Sequence, residues 1–152
     1  MQFWLMKSEP DECSIDDALA ARGRITPWTG VRNYQARNTM RDAMRVGDGV
    51  LFYHSSCDEP GVAGLAEVAS PSRTDPSQFD RQSDYYDAKS KRAAPRWVLV
   101  EVRALKKTRL VPIAELKAHK PLAKMLTLRP GNRLSITPVS DAEWRHITGN
   151  LL

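Results

Sequence analysis

Cysteine is scarce in this chain. Cys13 and Cys57 are the only two among 152 residues, and no CxxC pair occurs. That excludes a disulfide framework and points to free thiols in a reducing compartment, the cytoplasm. Histidine is scarce as well, with three copies. A closed metal site takes about three or four ligands, and Cys13, His54 and Cys57 are the sole local candidates, so neither a metal nor a cofactor is expected. Long apolar runs are missing, and the opening residues lack the charged-then-apolar pattern of a leader. The sequence therefore predicts no signal peptide and no membrane span. Glycine signatures of nucleotide enzymes are incomplete. Gly47-Asp48-Gly49 lacks the rest of a dinucleotide fingerprint, and Gly61 to Gly64 lacks the Lys-Ser/Thr of a phosphate loop. No nucleophile elbow is present.

What remains is a globular composition, 41% hydrophobic and 27% charged. The length predicts one domain spanning residues 1–152, monomeric and able to bury a core without staples. The net charge is +5, and it is uneven. Asp80 to Arg109 holds nine Lys or Arg against four acids, a local excess equal to the whole net charge. A solvated basic face explains such a cluster, and so does a track for an acidic partner.

Apolar spacing outlines the elements. "QFWLMKS" reads as a strand ended by Pro10, and Ser14-Ile15-Asp16-Asp17 as a capping box opening a helix through Ala21, with Gly23 as its stop. Ala36, Met40, Ala43 and Met44 predict a helix from about Tyr34 to Arg45. Val50 to Ser55 and Gly64 to Ser70 read as strands. From Pro71 to Pro95 the pattern disappears; a stretch of that length inside a domain is usually functional or disordered. Arg96 to Leu105 alternates as a central strand would, Pro112 opens a helix to about Ala118, and Leu122 to Leu128 makes a short turn. "RLSITPV" is a strand broken by Pro138, and Ser140-Asp141-Ala142-Glu143 is a second capping box. Strands with short helices at irregular spacing predict an α+β fold, a small curved sheet or barrel with helices packed around it.

The chemistry-bearing segment is "WTGVRNYQARN", Trp28 to Asn38, which combines two aromatics, two arginines and three amides without an acid. Aromatic platforms beside basic tracks suit nucleic acid, and Asn or Gln amides can pair with base edges. Core packing is the competing explanation for Trp28, Tyr34 and Trp97, as a surface helix is for Arg37. His54 and Ser55 resemble a hydrolase pair only in composition, since no spaced partner accompanies them. A structural histidine at a strand end is the plain reading of His54.

Several strings recur in order: "FWLMKSEP", "WTGVRNYQARN", "GDGVLFYHSSCDEPGVAGLAEV", "YYDAKS", "PRWVLVEV" and "RLSITPV". Together they resemble the EVE domain family over nearly the whole chain. The resemblance implies a PUA-like curved β-barrel with short flanking helices, related in shape to YTH and ASCH domains. It also implies a non-catalytic reader of a modified base in DNA or RNA. Carried over by position, the pocket would involve Lys7, Ser8 and Glu9, then Trp28, Gly30, Val31, Arg32 and Asn33, with Arg37 and Asn38 nearby. His54 and Ser55, the loop residues Tyr85, Tyr86, Asp87, Lys89 and Ser90, and Arg133, Leu134 and Ser135 complete it. Lys91, Arg92 and Arg96 would touch the phosphate backbone. The sequence departs from the family at Ala88, where Pro is usual, at Thr137, where Gln is common, and at Cys13, where an aromatic is frequent. Two other readings stand beside this one: an ASCH-like RNA-processing enzyme built on His54, Lys7 and Glu9, and a protein-interaction domain with an incidental basic face.

Overall fold

The structure is a computed structural model describing residues 1–152. Strand β1 (Phe3–Ser8) ends at Glu9, and Pro10 opens the one-turn helix α1 (Pro10–Cys13), where its missing N–H costs nothing. Ser14 then caps α2 (Ile15–Ala20). Its hydroxyl accepts from the Asp17 amide at 3.1 Å and its own amide donates to the Asp17 carboxylate at 3.0 Å, the reciprocal box expected. A short strand β2 (Ile25–Pro27) follows.

Helix α3 (Tyr34–Asn38) is shorter than predicted. It widens into a π turn over Thr39–Ala43 before the chain extends at Met44. Ala36, Met40 and Met44 are nevertheless buried, so the apolar spacing found the right face. Strand β3 (Gly49–His54) matches expectation, whereas β4 (Gly61–Val68) starts three residues earlier than the predicted Gly64. The irregular stretch holds only β5 (Arg73–Thr74) and a single 3-10 turn, Pro76–Phe79. The strand expected over 96–105 is two: β6 (Val98–Leu99) pairs with β5, and β7 (Glu101–Pro112) enters the main sheet. They part at Val100, whose carbonyl accepts the Trp28 amide at 2.9 Å. Helix α4 (Ile113–Ala118) leads to two more 3-10 turns, Lys120–Leu122 and Leu126–Leu128. Strand β8 (Ile136–Val139) runs through Pro138 instead of breaking there. It is an edge strand, where a residue without a donor is tolerated. Ser140 and Glu143 form the second capping box, at the start of α5 (Asp141–Asn150).

The main sheet has six strands in the order β2-β7-β4-β3-β1-β8. β7 is therefore interior, flanked by β2 and β4, though next to the edge. β1 lies parallel to β3 and antiparallel to β8, in the middle of an apolar sandwich. Alternate residues of β1 and β3 serve opposite cores. Trp4, Met6, Val50 and Phe52 face one side with Ile15, Ala18 and Met40. Leu5, Leu51 and Tyr53 face the other with Leu116, Leu122, Met125 and Ile147. Both faces being covered explains why these strands read as continuous apolar runs. The buried Asp48 carboxylate fixes the start of β1, accepting from the Trp4 indole at 2.9 Å, the Gln2 amide at 3.1 Å and the Arg45 amide at 2.9 Å.

The expected barrel is not closed. β2 and β8 are the two ends of the curved sheet and do not pair with each other.

Candidate functional site

The seam between those two ends holds a cavity of about 890 Å³. Thr26, Pro27 and the segment Trp28 to Arg32 line it from the β2 side. Asn132, Arg133 and Ser135 line it from the β8 side, with Lys7, Ser8 and Glu9 at the end of β1. The Lys7 amide donates to the Ser135 carbonyl at 2.8 Å, and the Ser55 amide to the Ser8 carbonyl at 3.0 Å, so three chain segments are laced together at this end. Ser55, Ser56, Glu12, Cys13 and Tyr85 complete the wall.

Gly30 and Tyr85 approach each other most tightly. Gly30 has φ +82°, and a Cβ there would lie 2.7 Å from the Tyr85 ring. Only glycine gives both the backbone angle and the room. The Tyr85 hydroxyl reaches the Glu12 carboxylate of α1 at 2.5 and 2.7 Å. Burial and this acceptor push the phenol up to about 12. The ring therefore links the irregular loop to the first helix in the cavity wall.

Arg32 holds that loop in place. Its guanidinium donates to the Tyr85 carbonyl at 3.0 and 2.7 Å, to the Val31 carbonyl at 2.9 Å, to the Ser77 hydroxyl at 3.0 Å and to Asp75 at 3.1 Å. Asp75 is fully buried. Burial raises its pKa, but donors from the Ser77 hydroxyl, the Gly30 and Ser77 amides and Arg32 outweigh this and hold it below the ordinary carboxylate value. Arg32 has no donor left for a phosphate. Its place is that of a clamp between the loop and the Trp28 segment.

The structure brings together Lys7, Ser8, Glu9, Trp28, Gly30, Val31, Arg32, Ser55, Tyr85, Arg133 and Ser135. Trp28 is 6% exposed and packs edge-on against Phe52, so it is a cavity wall rooted in the core rather than an open stacking platform. The other expected residues lie outside the cavity lining, each with a local partner or place. Asn33 caps α3, its Oδ1 accepting from the Gln35 and Ala36 amides at 2.9 and 3.1 Å, so its acceptor is engaged by its own helix. Arg37 donates to Asn38 and to the Arg96 carbonyl while lying over the Tyr34 ring. His54 accepts the Ile15 amide on Nε2 at 3.1 Å, and burial lowers its pKa. Ser90 is buried against Gln78, Asp87 accepts the Trp97 indole at 2.8 Å, and Leu134 lies in the turn closed by Asn132. Tyr86, Lys89, Lys91 and Arg92 are exposed on the loop, and Arg96 faces Asp87 at 3.8 Å.

Sequence reasoning missed Glu12, Cys13, Thr26, Pro27, Thr29, Ser56 and Asn132 as lining. Thr26 and Thr29 lie within two residues of Trp28, and that proximity was the available signal. Glu12 carries no signal, because its partner Tyr85 is remote in sequence. Among the charged lining groups, Lys7, Glu9 and Arg133 make no side-chain hydrogen bond or ion pair within the protein. Burial lowers the Lys7 pKa, and its ammonium lies 5.8 Å from the centre of the Tyr53 ring.

A curved open sheet, helices on both faces and a polar cavity at the seam define a PUA-like domain. The family model of the EVE domain matches residues 2–150, and the chain belongs to that family. Thymocyte nuclear protein 1 of Homo sapiens is 42% identical over 159 residues, covering 93% of this chain and 70% of that protein. The chain spans 65 to 71% of the thymocyte nuclear proteins it matches. A solved structure from Leishmania major has TM-score 0.92 and 45% identity, with 98% of this chain and 93% of that one covered. The structure of human THYN1 protein in complex with 5-methylcytosine-containing DNA has TM-score 0.92 and 40% identity, covering 98% and 96% of the two chains.

Proposed function

We propose that this chain is a non-catalytic module that holds a modified base, presented by DNA, in the seam cavity. The observation that carries this is the wall itself: Tyr85 supplies a flat surface and Trp28 an apolar backing, while Lys7, Glu9 and Arg133 offer charged groups that no other side chain satisfies. A relative solved with 5-methylcytosine-containing DNA supports the same reading. Taking a base out of a duplex costs a few kcal/mol, and a shaped, preformed cavity offsets that cost through non-covalent interactions rather than bond-making.

Binding accounts for His54 better than catalysis does. Its Nε2 lone pair is occupied by the Ile15 amide, and a general base needs that lone pair free.

The test is affinity for matched strands carrying 5-methylcytosine or cytosine. Wild-type protein should favour one of them, and Lys7→Met should reduce that preference without lowering the melting temperature. Equal affinity for both strands, or conversion of either into product, would overturn the reading.

A further inference from the structure

A second cationic surface borders the seam. Between Glu115 and Asp141 the chain has no acid, yet it carries Lys117, Lys120, Lys124, Arg129 and Arg133. All five are exposed, and none takes part in an ion pair. The turns explain why they point outward. The Leu122, Met125 and Leu128 amides each bond back three residues, to the carbonyls of His119, Leu122 and Met125. That spacing sends Leu116, Leu122 and Met125 into the core and leaves the cations between them in water.

One end of this run lines the cavity and the other is bonded to a loop that leads away from it. At its start, the Ile113 amide donates to the Pro60 carbonyl at 3.0 Å, in the loop that follows Ser55 and Ser56. At its finish, Asn132 and Arg133 line the cavity on the β8 side. The loop cations Lys89, Lys91 and Arg92 are exposed on the chain that follows Tyr85, which Gly30 and Arg32 hold in the cavity wall. Much of the remaining basic charge is already engaged: Arg96, Arg103, Lys107 and Arg109 face Asp87, Glu67, Asp16 and Glu115. Two groups of exposed cations without ion pairs are therefore tied to the cavity, one through Arg133 and the other through the chain that carries Tyr85.

We propose that Lys117, Lys120, Lys124, Arg129 and Arg133 form a phosphate-binding wall for the second strand of a DNA duplex, while Lys89, Lys91 and Arg92 hold the strand that delivers the base. This rests on the base-holding reading of the cavity. A single strand entering the seam needs one wall; a duplex straddling it meets both.

The test compares duplex and single-stranded DNA, each with 5-methylcytosine or cytosine at one position, over a range of salt. Lys120→Ala, Lys124→Ala and Arg129→Ala are combined in one variant, with a thermal melt to verify folding. For the duplex, the slope of log affinity against log salt should flatten by about 0.9 for each phosphate left without its cation. Affinity for the single strand should stay unchanged, whereas Lys89→Ala with Lys91→Ala should weaken both probes. An unchanged duplex slope, or equal weakening on both probes in the triple variant, would overturn the proposal. Absence of any base preference in the wild-type protein would sink the base-holding reading instead, and the duplex slope would still decide the wall.

Discussion

Gly30 and Tyr85 meet in the cavity wall, and the Asp75 carboxylate binds the Gly30 amide. The carboxylate accepts the Gly30 amide at 2.9 Å and the Arg32 guanidinium at 3.1 Å, so one buried charge sets both the glycine turn and the loop clamp. Removing one member of a buried pair strands the other. Asp75→Ala should therefore destabilise the fold by about 3–5 kcal/mol, read from the urea midpoint, and should release the loop bearing Tyr85 to proteolysis. Asn33→Ala should behave differently. It removes a helix cap, at about 0.5–2 kcal/mol, and base preference in the folded variant should be unchanged. The amide of Asn33 looked like a base reader in the sequence because donor and acceptor are what a base edge requires; the structure uses the acceptor on its own helix. Arg32 was legible as a pocket residue, either as a contact for the ligand or as a support for the wall. Deciding between these needed Asp75, Ser77 and Tyr85, which lie 43 to 53 residues away.

Elements whose signals are local were readable. Both capping boxes, the start of α4 after Pro112 and nearly all of β3 fall where residue spacing put them. The π turn after Asn38, the break at Val100 and the passage of β8 through Pro138 were not readable, because each depends on what packs alongside. Helix α2 depends on a remote partner as well, since His54 accepts an amide at its first turn. Burial holds the His54 pKa below the ordinary 6.5, so the neutral ring belongs to the folded state. Above about pH 6.5 neither state is appreciably charged and the contribution is full. As pH falls from there through the folded pKa, the unfolded chain takes up a proton first and stability declines. His54→Gln should flatten the fall in melting temperature between about pH 7 and pH 5, relative to wild type. An identical fall in both proteins would contradict the assignment.

At the scale of the whole molecule, an open sheet leaves two edges that converge on a cavity, and charge is distributed around it in two unpaired groups. The sequence pointed to one of them, because Lys89, Lys91 and Arg92 fall in the dense basic run from Asp80 to Arg109, four of whose other cations are ion-paired. The other is spread among core residues at turn spacing, so it surfaced only when the turns separated inside from outside. The α+β class and the EVE resemblance were both legible; the open seam was not, because closure of a sheet depends on strand curvature rather than on any local pattern. High salt should weaken DNA binding while the preference for one base persists, since phosphate interactions carry little sequence information. Base holding at the seam is tested most directly by calorimetric titration of wild type and Gly30→Ala with matched 5-methylcytosine and cytosine duplexes at several salt concentrations. A Cβ at residue 30 would press on the Tyr85 ring from 2.7 Å, so the substitution alters the cavity wall without removing any of the cations. Base preference should disappear in folded Gly30→Ala while the salt slope matches wild type; retention of the preference, or a change confined to the salt slope, would contradict a base held between Gly30, Tyr85 and Trp28.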